Sequence, residues 1–233
     1  MSIPLIVAHR AGNSYEAIEN AVRLGADIIE LDIRMTKDGV LVASHSPEIK
    51  INGYEMHIGE KTYNFLYQKM IDSEHNQLLE LYDILILARD DNLKLLIDIK
   101  NGPKEFYPEI NIKIARMICN CNMHGNVRLV SFDQNLIYEL KKQHSFPFKA
   151  GILVDKMENV GDIIERTGAD LVETQNPFLT QEVVSEAHAL GAEVISWSTN
   201  DPNEIKRLIN LSVDLITTES PQLARRILST IAK

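Results

Sequence analysis

Cysteine is nearly missing: the chain of 233 residues holds two, Cys119 and Cys121, as C-x-C in a stretch of helical pattern. A disulfide framework is thereby excluded, and the pair reads as two free thiols in a reducing compartment. An excess of basic charge is missing as well. Acidic residues outnumber basic ones 33 to 24, a net charge of −9, so affinity built on neutralising nucleic-acid phosphates is not expected, although a local basic pocket remains open. The opening "MSIPLIVAHR" carries no basic leader, and its apolar run is too short for a signal peptide or a membrane span. A cytoplasmic protein without stable membrane insertion is the expectation. No linker, low-complexity tract or charge block divides the sequence, which reads as one domain over residues 1–233. The hydrophobic fraction of 45% is enough to bury a full core.

Against these absences stands a repetition. "RLGADIIEL" from Arg23, "RTGADLVET" from Arg166, "ALGAEVISW" from Ala189 and "NLSVDLITT" from Asn210 each close a helical pattern on a small residue and then launch a β-branched run. Gly25, Gly168 and Gly191 suit the left-handed position just past a helix. This is the helix-to-strand junction of a parallel α/β protein. Nine strand-like segments follow in order: "PLIVAH", "DIIELDI", "VLVASH", "LKLLIDIK", "NVRLVSF", "FKAGILV", "ADLVET", "AEVISW" and "VDLITT". Helical patterns run over Tyr15 to Leu24, Leu78 to Arg89, Gln134 to Lys142, Gln181 to Leu190 and Pro202 to Leu211. Only "RMTKDG" separates the second and third strands, too little for a parallel crossover, so these two form a hairpin turning at Asp38-Gly39. Setting the return arm aside leaves eight parallel strands, the number that closes a (β/α)8 barrel. A doubly wound open sheet is the alternative. Residues 47–76 break the rhythm as a short insertion over one mouth.

Barrel chemistry sits at the C-terminal ends of strands. There the sequence places His9 and Arg10, then Glu30 and Asp32, then Asp98 and Lys100. Residues two apart on a strand share a face, so each of the last two pairs points together. With a two-residue turn, Lys37 pairs with Val40 and Asp32 stands opposite His45. Three carboxylates in one mouth repel one another unless a cation neutralises them, and all-oxygen ligands favour Mg²⁺ or Ca²⁺, with Mn²⁺ possible, over zinc. Two histidines beside such an ion can divide acid and base roles. Arg10 and Lys100 suit a phosphate. Together these groups point to cleavage of a phosphodiester.

At these residues the chain resembles the glycerophosphodiester phosphodiesterases. The family pattern of "HRG", Gly-Ala-Asp, "ELD", "TKDG", "HD", "EIK", "SF", "WTVN" and "ITD.P" has counterparts in "HRA", "LGADIIELDIRMTKDGVLVASHS", "DIK", "VSFD", "SWSTND" and "ITTESP". The resemblance implies a (β/α)8 barrel that uses one divalent metal ion to hydrolyse a small glycerophosphodiester to an alcohol and sn-glycerol 3-phosphate. It implies Glu30, Asp32 and Asp98 as metal ligands, His9 and His45 as the acid/base pair, and Arg10 and Lys100 as phosphate-binding residues. Trp197 would line the glycerol side of the pocket. The departures are "AGNS" where the family has "PENT", with Gly12 at its glutamate, Ser46 for the aspartate of "HD", and Asp98 one methylene shorter than the family's glutamate. Two other functions fit the same barrel. One is phospholipase D-like action on lysophospholipids, with apolar surface from "YNFLYQKM" at Tyr63, a stretch that otherwise reads as an ordinary amphipathic helix. The other is non-catalytic binding of a small phosphorylated ligand.

Overall fold

A computed structural model describes residues 3–72, 78–101, 107–143, 147–155 and 159–231. Eight parallel strands close on one another: β1 (Leu5–Ala8), β2 (Ile28–Met35), β6 (Lys94–Ile99), β7 (Val127–Ser131), β8 (Lys149–Val154), β9 (Leu171–Gln175), β10 (Glu193–Trp197) and β11 (Leu215–Thr218). β1 pairs with β11 on one side and β2 on the other, which completes the ring and replaces the open-sheet alternative. Helices α1 (Tyr15–Arg23), α3 (Leu81–Asp90), α4 (Ile110–Asn120), α5 (Gln134–Lys142), α6 (Val160–Thr167), α7 (Gln181–Ala189), α8 (Pro202–Asn210) and α9 (Pro221–Ile231) accompany the strands. The barrel's inside is filled by apolar side chains from its strands, including Val7, Ile28, Leu96, Val130, Leu171 and Ile195. A larger core lies between strands and helices.

The repeated junctions have two physical jobs. Gly25, Gly168 and Gly191 adopt φ of +91, +67 and +79, and Ser212 takes the same left-handed place at +62 in the copy that lacks glycine. Asn92 and Asn122 do so before β6 and β7, as asparagine tolerates this region better than most residues. The aspartate that follows stitches neighbouring strands. Asp27, Asp170 and Asp214 each accept a bond from the backbone N–H of Ile6, Ala150 and Val194, at 2.7, 2.9 and 2.7 Å. Each also meets a cation or imidazole: Arg225, Lys141 and His188. His188 is therefore one arm of such a pair. His75 and His144 lie outside the described residues.

The hairpin differs from expectation by one residue. β3 (Leu41–Ala43) runs antiparallel to β2 in the register Ile33 to Ala43 and Met35 to Leu41. The turn holds three residues rather than two, with Gly39 at φ +85. Asp32 thus stands opposite Ser44, whose N–H bonds the Asp32 carbonyl at 2.9 Å, and not opposite His45. Beyond Ala43 the strand ends because the buried guanidinium of Arg34 takes the carbonyls of Ser44 and His45, at 3.1 and 2.6 Å. The chain turns there. The inserted segment then forms a second hairpin, β4 (Glu48–Ile51) and β5 (Tyr54–His57), and helix α2 (Tyr63–Asp72). Its side chains Ile51, Ile58, Leu66 and Met70 join Val42 and Leu78 in a small separate core. Helix α3 begins three residues later than its apolar pattern, because Leu79 and Glu80 pair with Ala43 and Val42 instead.

Candidate active site

At the C-terminal mouth of the barrel, a cavity of about 30 Å³ is lined by His9, Arg10, Glu30, Asp32, His45, Asp98, Lys100, Leu153, Glu173 and Trp197. All eight side chains singled out in the sequence reach this one cavity. Alternation explains most of them: Ile28, Glu30 and Asp32 point inward from β2, as do Leu96 and Asp98 from β6. His45 arrives by the turn that Arg34 imposes, from just beyond the end of β3.

The first wall comes from the end of β1. Arg10 adopts a left-handed backbone at φ 52, which directs its N–H at Glu30 Oε2, 2.5 Å away. Its guanidinium reaches over the mouth, and Nη2 donates to His45 Nε2 at 2.5 Å. His9 is anchored through its N–H to the carbonyl of Thr218, at 2.9 Å, and its Nδ1 faces Glu219 Oε1 at 3.5 Å. Burial and the neighbouring Arg10 lower the pKa of His9, against the pull of Glu219. Burial also lowers that of His45, with Arg10, Lys100 and Arg34 adding to it and Asp32 opposing.

The floor is carboxylate. Asp32 and Asp98 are 2% and 7% exposed, and the Lys100 ammonium lies between them, 2.7 Å from Asp32 Oδ1 and in contact with Asp98 Oδ2. Burial works against that ammonium, but the two carboxylates outweigh it and raise its pKa. Their other oxygens, Asp32 Oδ2 and Asp98 Oδ1, are buried without a hydrogen-bond partner. Burial pushes Asp98 up to about 6 despite Lys100. Glu30 is raised well above the ordinary value, by burial first and then by Asp32. Among the described residues, no three His, Cys, Asp or Glu side chains already stand close enough to cage an ion.

Two residues here escaped the sequence reading. Glu173 on β9 is 4% exposed, and burial drives it up to about 8. The inward alternation of "LVETQ" was the signal for it. Glu219 had no such signal, because its place beside His9 depends on Asn200, which holds Thr218 and the Glu219 N–H at 2.8 and 3.0 Å. The motif "VSFD" proves to be a brace: buried Ser131 bonds the Ile99 carbonyl at 2.7 Å, and Phe132 leans on Trp197 with ring centroids 5.6 Å apart.

Residues 7–223 match the model of the Glycerophosphoryl diester phosphodiesterase family. The chain belongs to that family. As a glycerophosphoryl diester phosphodiesterase it is a phosphoric diester hydrolase, and the family acts on glycerophosphodiesters. It is similar to a glycerophosphodiester phosphodiesterase of Caldanaerobacter subterraneus subsp. tengcongensis, with 26% identity covering 94% of this chain and 95% of that one. The fold superposes on a putative glycerophosphoryl diester phosphodiesterase from Silicibacter pomeroyi with a TM-score of 0.86 and 22% identity, over 99% and 95% of the two chains. It also matches an Oleispira antarctica phosphodiesterase solved with its product sn-glycerol-3-phosphate, at TM-score 0.79 and 15% identity over 97% of both chains.

Within this family's pattern, the contracted "AGNS" loop is a packed turn. Ala11–Asn13 forms a single 3-10 turn, and a Cβ on Gly12 would come within 2.4 Å of the Leu31 Cβ. Ser14 caps α1, its Oγ accepting the Ala17 N–H at 3.1 Å. Ser46 closes the turn after His45: its carbonyl accepts from Ser44 Oγ at 2.8 Å and its own Oγ from the Glu48 N–H at 3.3 Å.

Proposed function

We propose that the chain hydrolyses small glycerophosphodiesters to an alcohol and sn-glycerol 3-phosphate, with His9 and His45 sharing the acid and base roles. The observation that carries this reading is the meeting of two imidazoles, two cations and four carboxyl groups at one cavity. The product named for the Oleispira antarctica neighbour supports the same substrate class.

Glu30, Asp32 and Asp98 fit a divalent cation. Two buried carboxylate oxygens without partners call for positive charge, and an all-oxygen set suits Mg²⁺, Ca²⁺ or Mn²⁺. Such an ion, when bound, polarises the phosphoryl oxygens and offsets charge in the transition state. The remaining work falls to the side chains. Arg10 and Lys100 hold non-bridging phosphate oxygens and orient the phosphorus toward the imidazoles. One imidazole takes the proton of the attacking hydroxyl as its oxygen bonds to phosphorus. The other delivers a proton to the oxygen of the leaving alcohol as that P–O bond breaks. Depressed pKa values leave both imidazoles able to accept a proton near neutral pH.

A soluble substrate is favoured over a lysophospholipid by the fate of "YNFLYQKM". Its Leu66 and Met70 are spent in the small core under the hairpin, with Phe65 left 42% exposed. The test is incubation with glycerophosphocholine and with lysophosphatidylcholine, each with and without EDTA, measuring glycerol 3-phosphate and choline. Glycerol 3-phosphate from the first substrate, lost with EDTA, is expected. Choline released only from lysophosphatidylcholine would overturn the substrate class, and ligand binding without turnover would leave a non-catalytic binder.

A further inference from the structure

The cavity has two unlike sides. The ends of β1, β2 and β6 and the turn after β3 supply every imidazole and cation and three of the carboxylates, all of them used above. β8, β9 and β10 supply Leu153, Glu173 and Trp197. That second side offers an apolar branch, an indole and a single carboxyl group. Glu173 is 4% exposed, and what is left open of it faces the cavity. A polar group held at the wall of so small a cavity is placed to bond whatever enters it.

We propose that Glu173 is a specificity-determining residue for the polyol half of the substrate, bonding a glycerol hydroxyl while the carbon chain lies against Trp197 and Leu153. This rests on the glycerophosphodiester reading and adds to it the group that reads the hydroxyls. The depth of the residue points the same way. The second cleft bordered by Trp197, about 290 Å³ and lined by Gln175, Asn176, Pro177 and Ser198, leaves room outside for the departing alcohol. A carboxyl group can accept a bond from a hydroxyl, and an amide in its place keeps that ability.

Trp197 is the one tryptophan of the chain, so its fluorescence reports on this cavity directly. The experiment titrates sn-glycerol 3-phosphate and ethyl phosphate, which lacks both hydroxyls, into the wild type, Glu173→Gln and Glu173→Leu in saturating Mn²⁺. Wild type should prefer glycerol 3-phosphate by roughly tenfold or more, the scale of one well-placed hydrogen bond in a closed site. Glu173→Leu should lose that preference and Glu173→Gln keep part of it, since an amide still bonds a hydroxyl. No preference in the wild type, an equal preference in all three proteins, or equal weakening of both ligands would overturn the proposal. So would a tenfold loss of Mn²⁺ affinity in Glu173→Gln, measured by calorimetry, because it would make the residue a metal ligand. Hydrolysis of glycerophosphocholine is measured separately. A binding preference that follows Glu173 in a protein without turnover would sink the catalytic reading and leave this one standing.

Discussion

The barrel's two mouths both carry acidic side chains on the inner face, and they treat them in opposite ways. At the N-terminal mouth, Glu193 is held by Arg128 at 2.8 and 3.2 Å and by Lys149 at 2.5 Å. Burial works to raise its pKa, but the bonds from Arg128 and Lys149 prevail and lower it. At the C-terminal mouth, burial prevails: Glu30, Asp98 and Glu173 are all raised. One mouth is a finished ion-pair plug. The other has more buried carboxyl than its cations can neutralise, which costs stability and is the condition expected of a site that awaits a ligand.

If that contrast is right, damage at the upper mouth should stop chemistry and spare the fold. His9→Ala and His45→Ala should each lower turnover of glycerophosphocholine by roughly 100-fold or more, with the melting temperature little changed. Full activity in either would remove that histidine from the acid/base pair. The pH dependence of stability sharpens the same point. Glu173 is neutral up to about 8 in the folded state, whereas in the unfolded chain it ionises near the ordinary glutamate value. Between those values the folded state holds the extra proton, so stability falls as pH rises and the penalty is complete above about 8. Glu173→Gln should abolish this part of the slope and be the more stable protein at pH 9 by roughly 2–4 kcal/mol. Urea unfolding of both proteins from pH 5 to 9, in EDTA, checks it. Parallel curves would mean that Glu173 ionises normally.

How far the residues alone could lead also differs between regions. The ring was readable because several junctions repeat the same chemistry, a left-handed residue followed in three of them by a stitching aspartate. The hairpin register was not, because "TKDG" suits a two-residue and a three-residue turn equally well, and Gly39 decides for the longer one. His45 still reached the cavity for a reason hidden from any strand pattern: Arg34 bends the chain after Ala43 by taking two carbonyls. The hairpin β4–β5 was missed because each arm, "EIKI" and "YEMH", is only four residues long, too short for its alternation to stand out. Glu219 was beyond reach because its position depends on Asn200, nineteen residues earlier. Local patterns announce elements, and contacts between distant loops finish the site.

At the lower mouth the expectation reverses. Glu193→Ala leaves Arg128 and Lys149 facing each other without a counter-charge. The cluster is partly solvated, with Glu193 21% and Lys149 49% exposed in their side chains, so the cost is discounted to about 1–3 kcal/mol. Turnover should stay within about twofold of wild type. A large loss of activity with little loss of stability would break the division of labour between the mouths.

The smallest effect belongs to the contracted loop, which lies at the upper mouth yet behaves like the lower one. Ser14 spends its hydroxyl on the Ala17 N–H as the cap of α1, so its contribution is structural although Arg10 is only four residues away. Ser14→Ala should cost about 1 kcal/mol and leave kcat/KM for glycerophosphocholine within about twofold, read from a thermal melt and a steady-state assay on one preparation. A fall in kcat/KM of tenfold with an unchanged melt would place the hydroxyl in the reaction. Proximity to the mouth would then matter more than the hydrogen bond seen, and the line between a structural and a chemical end of the barrel would have to be redrawn inside this loop.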